Sequence, residues 1–497
     1  MFEAGGVGQG YGQGHGQGHG LDLVLDIGKT RSKLLVLDAQ GQVLAQHDHA
    51  SRVRHDGAWA ALDTADTADW LQQTLAHLGV LRHELSRVVV SAHGAAFAAI
   101  DPAAPADAVL RADGGLAWPV PDYEFEGFDE RAPDWARQVG HFAETQSPDL
   151  PRGLNAATQF DWLERHAPEA FARGQLLPLP QYWAWWLSGV AASEVSSLGC
   201  HTHLWSPGQD DYSALARRRG WAARFAPLRR AWEALGPLRP ELAQRLGLPR
   251  GLRVYAGVHD SNACLARYLR SHPRMTLITT GTWIVVMVPG APGRGLQAEL
   301  DQLCNVSVRR EPVPTGRFKG GSELHKLCAG ADPALANAAD LQRLVGRGVM
   351  ALPGFDDQGG PFRHRAGQVV DDLGQVAVAT LTPAERATLA ALYCAQVTAW
   401  LIGRLGGAGP LIVEGPFARN PVYAGALATL MAGPPLLLST DALEGTARGA
   451  WMLLHWTHPS LGAAPTGEAV ALGGEGLRRL HQRWCDRVGP ALARDAA

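Results

Sequence analysis

The chain is poor in charge, and it has no block of either sign. Charged residues make up 19% of 497, and the formal net charge is −3. Such a balanced surface gives no electrostatic handle for nucleic acid, so no nucleic-acid partner is expected. Paired cysteine is missing as well. The six Cys, at 200, 264, 304, 328, 394 and 485, form no CxxC and no zinc spacing. That excludes a disulfide framework and leaves reduced, buried thiols, as in a cytoplasmic protein. No apolar run of about 18 residues stands out, so no membrane span is expected. The N-terminus lacks the basic start and apolar stretch of a signal peptide.

What is present supports a large fold. Hydrophobic residues make up 46% of a length that suits two or more domains. Residues 1–20 are a Gly-Gln-His tract that cannot bury a core, and a disordered tail is expected there.

Next comes the most informative stretch, Val24-Leu25-Asp26-Ile27-Gly28-Lys29-Thr30-Arg31-Ser32-Lys33, followed by apolar Leu34 to Leu37. It reads as strand, tight turn, strand. Backbone N–H groups in such a turn can face a phosphate, and Asp26 beside them can hold Mg²⁺ through water. The spacing is not that of a Walker loop. An ordinary hairpin in solvent is the competing explanation.

Further along, Gln42 to Gln46 reads as a return strand, Thr67 to Leu81 as a helix, and Arg87 to Ala92 as a strand ending in His93-Gly94. Pro102 to Pro151 is Pro-, Gly- and Asp-rich and reads as loops near a site. The aromatic helix Gln181 to Gly189 reads as core rather than as a carbohydrate platform, because large aromatics mostly supply buried area.

Near Pro249 the pattern restarts. Leu252 to Val258 forms a strand running into His259-Asp260, and Met275 to Thr279 and Trp283 to Val288 flank a turn at Gly281-Thr282. Helices at Pro383–Leu405, Pro421–Met431 and Gly445–Leu454 alternate with strands at Leu411–Val413 and Leu436–Leu438. The chain thus reads as α/β in two similar halves.

Three features combine: the Asp26-to-Lys33 turn, the Gly281-Thr282 turn, and Asp260 at a strand end before a helix. A carboxylate there suits a general base, although Asp is also a good helix cap. Two phosphate turns and a cleft carboxylate fit a phosphoryl transferase.

At this point the motifs resemble those of the FGGY carbohydrate kinases, in the actin-like and hexokinase-like ATPase superfamily. Asp26 to Lys33 is similar to the first phosphate motif, Gly257-Val258-His259-Asp260 to the catalytic Gly-x-x-Asp, and Thr280-Gly281-Thr282-Trp283 to the second phosphate motif. Ile412 to Asn420 stands where these kinases bind adenosine, and Glu444 to Ala450 resembles their last helix motif.

The resemblance implies two ribonuclease H-like (actin-like ATPase) domains with a cleft between them, at 21–250 for sugar and 251–497 for nucleotide. It implies ATP and Mg²⁺ as cofactors, small-molecule partners only, and a cytoplasmic location; a homodimer is compatible with it. Asp260 would be the base and Asp26 the metal ligand. Gly28, Thr30, Lys33, Gly281 and Thr282 would hold phosphates. Gly320, Gly415, Phe417 and Asn420 would approach the nucleotide, with Phe417 flanking the adenine. His93, Gly94, Asp122, Tyr123 and His259 would line the sugar pocket.

The flavour is that of L-fuculose and L-rhamnulose kinases. L-rhamnulose, D-xylulose and D-ribulose are alternative acceptors, and a catalytically silent sugar- or nucleotide-binding regulator is the rival class.

Overall fold

A computed structural model describes residues 20–101, 105–110, 114–357, 359–441, 445–458 and 461–495. Residues 1–19 of the expected tail, and Glu444 of the last motif, lie outside the described residues.

The first sheet opens as an antiparallel meander, β1 (Leu21–Ile27), β2 (Arg31–Leu37) and β3 (Val43–Ala50). Helix α1 (Thr64–Ala76) then leads to β4 (Leu85–Ala92), which pairs parallel with β1. Helix α2 (Leu179–Ser188) and strands β5 (Ala234–Pro237), β6 (Arg253–Tyr255) and β7 (Val258–His259) follow, giving the order β5-β6-β4-β1-β2-β3 with β7 also on β4. After α3 (Asp260–Leu269) the scheme repeats with β8 (Thr276–Thr280), β9 (Ile284–Met287), β10 (Gln302–Val306) and β11 (Pro312–Phe318).

Then come α4 (Gly320–Cys328), α5 (Pro383–Leu405), β12 (Leu411–Glu414), α6 (Pro421–Leu430), β13 (Leu436–Ser439), α7 (Gly445–Leu454) and β14 (Thr466–Glu468). The second sheet runs β10-β11-β9-β8-β12-β13-β14. In both sheets a meander is extended by parallel strands, the ribonuclease H-like arrangement. The apolar strands β1 and β12 sit centrally with both faces covered, which is why they read as nearly continuous apolar runs; β8 beside β12 is as central but Thr-rich.

Several expectations shift. The strand after Pro249 does not open the second half. As β6 and β7 it completes the first sheet beside β4. Helix α1 starts at Thr64 rather than Thr67, because Asp63 caps it by accepting the Asp66 N–H at 3.0 Å; it ends before Gly79, whose φ is 61°. Pro102–Pro151 is not purely loop: it holds a short strand, Leu116–Trp118, and helical turns at Trp135–Val139 and Phe142–Thr145.

The expected lack of a membrane-length apolar run also needs correction. Among the described residues, Pro383–Leu405 is long and apolar enough by composition, yet 83% of its most apolar window is buried in the fold. It is the central helix of the second core, started by a Thr382–Glu385 capping box. The aromatic helix α2 is core as expected, with Trp183 and Trp186 fully buried.

A third core joins the halves. Helices α3 and α7 lie between the two sheets, with Val24, Leu35 and Val89 on one side and Leu277 and Ile412 on the other. The helices cross in backbone contact at Gly449, where a Cβ would stand 1.7 Å from the Ala263 carbonyl oxygen. At the start of β1, fully buried Asp22 accepts from Arg87 Nε (2.7 Å), Trp451 Nε1 (2.9 Å) and His455 Nε2 (2.6 Å). One carboxylate therefore ties β1 and β4 to α7.

Candidate active site

Asp260 is the first residue of α3, and His259 occupies the cap position. Its side chain accepts the Ser261 N–H at 2.5 Å and lies 3.1 Å from His259 Nε2, with about a third of it exposed. The carboxylate thus faces the cleft instead of closing the helix end.

His259 is buried against Gly94, where a Cβ would come within 2.5 Å of Nε2. Its backbone N–H donates to Ser196 Oγ at 3.1 Å, and the Ser196 hydroxyl donates to buried Glu194. Burial disfavours the imidazolium, but Cys200, Asp260 and Glu194 hold the His259 pKa up at about 9. Burial would likewise raise the Cys200 thiol, yet His201 and His259 outweigh it and pull the pKa down to about 5. Burial pushes Glu194 up to about 7 and lowers His93. His201 and His203 hold left-handed backbone at φ 44° and 61°, the kind of local strain that collects at functional sites.

Asp260, His259, His93, Cys200 and His201 line a cavity of about 320 Å³ between the sheets. On one side it gathers Lys29, His93, Gly94, Tyr123, Cys200, His259 and Asp260; on the other, Val285, Leu303, Asn305 and Arg317. Of the expected sugar residues, only Asp122 is not on its wall; it is buried behind Lys29, accepting that ammonium at 2.6 Å. Tyr123, Leu154 and Arg317 continue into a larger cavity of about 820 Å³ walled by Trp283, Lys319 and Arg363.

The first phosphate turn is held by Gly28 N–H to the Arg31 carbonyl (3.1 Å) and by the Ser51 hydroxyl to the Gly28 carbonyl (2.8 Å). Thr30 is exposed at its tip, and Asp26 and Lys33 face each other across β1 and β2. Gly281 has open space where a Cβ would stand, and Thr282 is exposed. The N-terminus of α4 abuts this second turn: Gly321 N–H donates to the Thr282 carbonyl at 3.1 Å, and a Cβ at 321 would lie 2.2 Å from the Gly281 oxygen. Gly320 instead packs on Ile284. Thr280 ties the turn to the next one, donating to the Glu414 carbonyl at 2.6 Å and accepting the Phe417 N–H at 3.2 Å. Gly415 has φ 92°, and its Cβ position lies 2.1 Å from the Thr280 oxygen.

The fold uses two expected nucleotide residues elsewhere. Phe417 is 7% exposed and packs edge-on against Tyr423 within the core, so its ring is not presented as an adenine flank. The Asn420 side-chain oxygen caps α6, accepting from Val422 and Tyr423.

The profile of the carbohydrate kinase FGGY C-terminal domain matches residues 272–462. The crystal structure of a carbohydrate kinase from Novosphingobium aromaticivorans aligns at TM-score 0.83 and 34% identity, covering 96% of this chain and 100% of that one. The chain belongs to the FGGY carbohydrate kinases. Two more distant structures share the fold. One is a xylulose kinase from Lactobacillus acidophilus (TM-score 0.73, 13% identity, 95% and 98% covered). The other is Plasmodium falciparum glycerol kinase with ADP (TM-score 0.73, 10% identity, 95% and 98% covered). A comparison with curated proteins by sequence found no match.

Kinases of this family use ATP, generally with Mg²⁺. The residues here fit both. The space at Gly281 beside a helix N-terminus suits a polyphosphate. Among the described residues no group of three or more His, Cys, Asp or Glu forms a metal cage.

The kinase site also contains residues that motif reading did not assign. Lys29 sits inside the first motif but was read only as spacing. Cys200, His201, Asn305 and Arg317 belong to no motif, since they converge only when the two sheets face each other.

Proposed function

We propose that this kinase phosphorylates a ketose, with L-fuculose-like deoxyketoses as the leading class. The observation that carries the reading is the sugar-sized cavity itself. Asp260, His259, His93 and Tyr123 form a polar side, while Leu154, Val285 and Leu303 offer an apolar wall suited to a deoxysugar methyl.

When bound, ATP supplies the γ-phosphoryl group and Mg²⁺ offsets its charge. Asp260 takes the proton of the attacking hydroxyl, fixed in direction by the Ser261 N–H and His259. The turns at Gly28–Thr30 and Gly281–Thr282 would hold phosphates from opposite domains, and Asp26 would hold the metal. Closure of the domains excludes water from the transfer.

The test is ADP release with Mg·ATP and L-fuculose, L-rhamnulose, D-xylulose or D-ribulose. Turnover of at least one is expected, and silence on all four refutes the ketose assignment. Asp260→Asn should lower kcat by about 10² to 10⁴ while leaving nucleotide affinity near normal; an unchanged kcat would remove the base role.

A further inference from the structure

Lys29 directly follows Gly28 in the first phosphate turn, yet its ammonium points to the sugar-side loop. Nζ lies 2.6 Å from Asp122 Oδ1, 3.3 Å from Glu124 Oε2 and 5.2 Å over the Tyr123 ring. The loop is the fixed partner. Asp122 is 4% exposed, its N–H donates to the Ala60 carbonyl at 2.8 Å, and its Oδ1 also accepts the Glu124 N–H at 3.1 Å. Lysine is the adaptable partner, a point charge on a four-carbon stem. Lys29 and Asp260 share one cavity wall.

We propose that Lys29 is a catalytic cation that Asp122 and Glu124 hold away from the donor phosphate until the acceptor sugar arrives. The inference rests on the kinase reading for its donor, ATP, and for the cavity as the acceptor site. Lys29 stands between the cavity and buried Asp122, so a sugar hydroxyl that enters there must displace the ammonium to reach that carboxylate, and the freed ammonium turns to the γ-phosphate. There it offsets the charge that spreads over the γ-oxygens during transfer. The sugar oxygen bonds to the γ-phosphorus, the bond from that phosphorus to the β,γ-bridging oxygen breaks, the hydroxyl proton passes to Asp260, and ADP leaves. Without sugar the cation stays on the loop, and transfer to water is disfavoured. This is induced fit that guards ATP.

The test is calorimetric titration, without sugar, of the Mg²⁺ complex of an ATP analogue with a β,γ-imido bridge. Asp122→Asn keeps the oxygen that accepts from Glu124 but loses the charge. It should bind the analogue about tenfold more tightly than wild type, with ADP affinity unchanged. Its sugar-independent ATP hydrolysis should rise in parallel. Lys29→Gln, and Lys29→Gln combined with Asp122→Asn, should show no gain. Glu124→Gln, at a half-exposed position that tolerates change, should give a smaller gain in the same direction. A gain that persists without Lys29, or wild-type analogue affinity in both loop variants, overturns the proposal. No arm contains sugar, so failure on the ketose panel and failure here are separate results.

Discussion

Replacing Gly449 by Ala tests whether the crossing of α3 and α7 positions the base. The added Cβ would meet the Ala263 carbonyl oxygen at 1.7 Å and its carbon at 2.5 Å, whereas real Cβ contacts stay above 3.0 Å. The helices must therefore part by at least 3.0 − 1.7 = 1.3 Å. No rotamer relieves the clash, because both partners are backbone. Neither helix can yield alone, since both lie in the core shared by the two sheets. Alanine returns about 1 kcal/mol of helix propensity, while forced overpacking costs about 1–3 kcal/mol; with a backbone clash this close the upper end applies, so a net loss of up to about 2 kcal/mol is expected. Asp260 opens the same helix three residues before Ala263. A shift of about 1 Å there can cost on the order of 10² in kcat. Urea unfolding and steady-state kinetics measure both effects. Gly403→Ala is the control: it lies exposed in α5 with nothing within 4 Å, so it should be neutral or stabilising. A Gly449→Ala enzyme with wild-type stability and kcat would refute the reasoning.

Three further outcomes follow from the geometry. With the Cys200 pKa lowered to about 5, the thiolate persists above that pH, so iodoacetamide modification by mass spectrometry should change little between pH 6 and 8. An ordinary thiol reacts about 100-fold faster at pH 8 than at pH 6, and removing both cations, in the double variant His201→Gln with His259→Gln, should restore that steep dependence. Asp22→Ala leaves the Arg87, Trp451 and His455 donors without their buried acceptor, and should lower unfolding free energy by about 3–5 kcal/mol in a denaturant titration. Gly321→Ala pushes on the Gly281 carbonyl from 2.2 Å, so ADP affinity should fall in calorimetry while folding is retained; unchanged affinity would mean that this turn does not hold the nucleotide.

The repeated strand-turn-strand scheme was legible because turn glycines and continuous apolar strands are local signals. The sheet membership of the strand after Pro249 was misread for the opposite reason. Whether β6 and β7 pair with β4 or begin a new sheet depends on partners 253 − 87 = 166 residues away. The helix at Pro383–Leu405 was legible, but its membrane-length apolar character was not, because scattered polar positions such as Gln396 and Thr398, both buried, break its run without exposing it. At the site, Asp260, His259 and His93 were readable as strand-end residues. Phe417 and Asn420 were assigned by motif position, and only packing shows what their side chains do. The Cys200–His259 pair has no sequence signature, since 59 positions separate its members.

The Asp22 junction also has a mechanical meaning. It anchors the start of β1 to α7, while the other end of the same strand carries Asp26 and leads into the turn at Gly28. From Asp22 to Asp26 is about 13 Å along a strand. With Asp22 as fulcrum, a rotation of about 10° would carry Asp26 some 2 Å across the gap, while the three hydrogen bonds at the pivot need hardly lengthen. In the proposed closure the first sheet, to which β1 is bonded on both sides, would be a lever whose short arm never lets go, so the jaws would shut without unfastening the halves from one another.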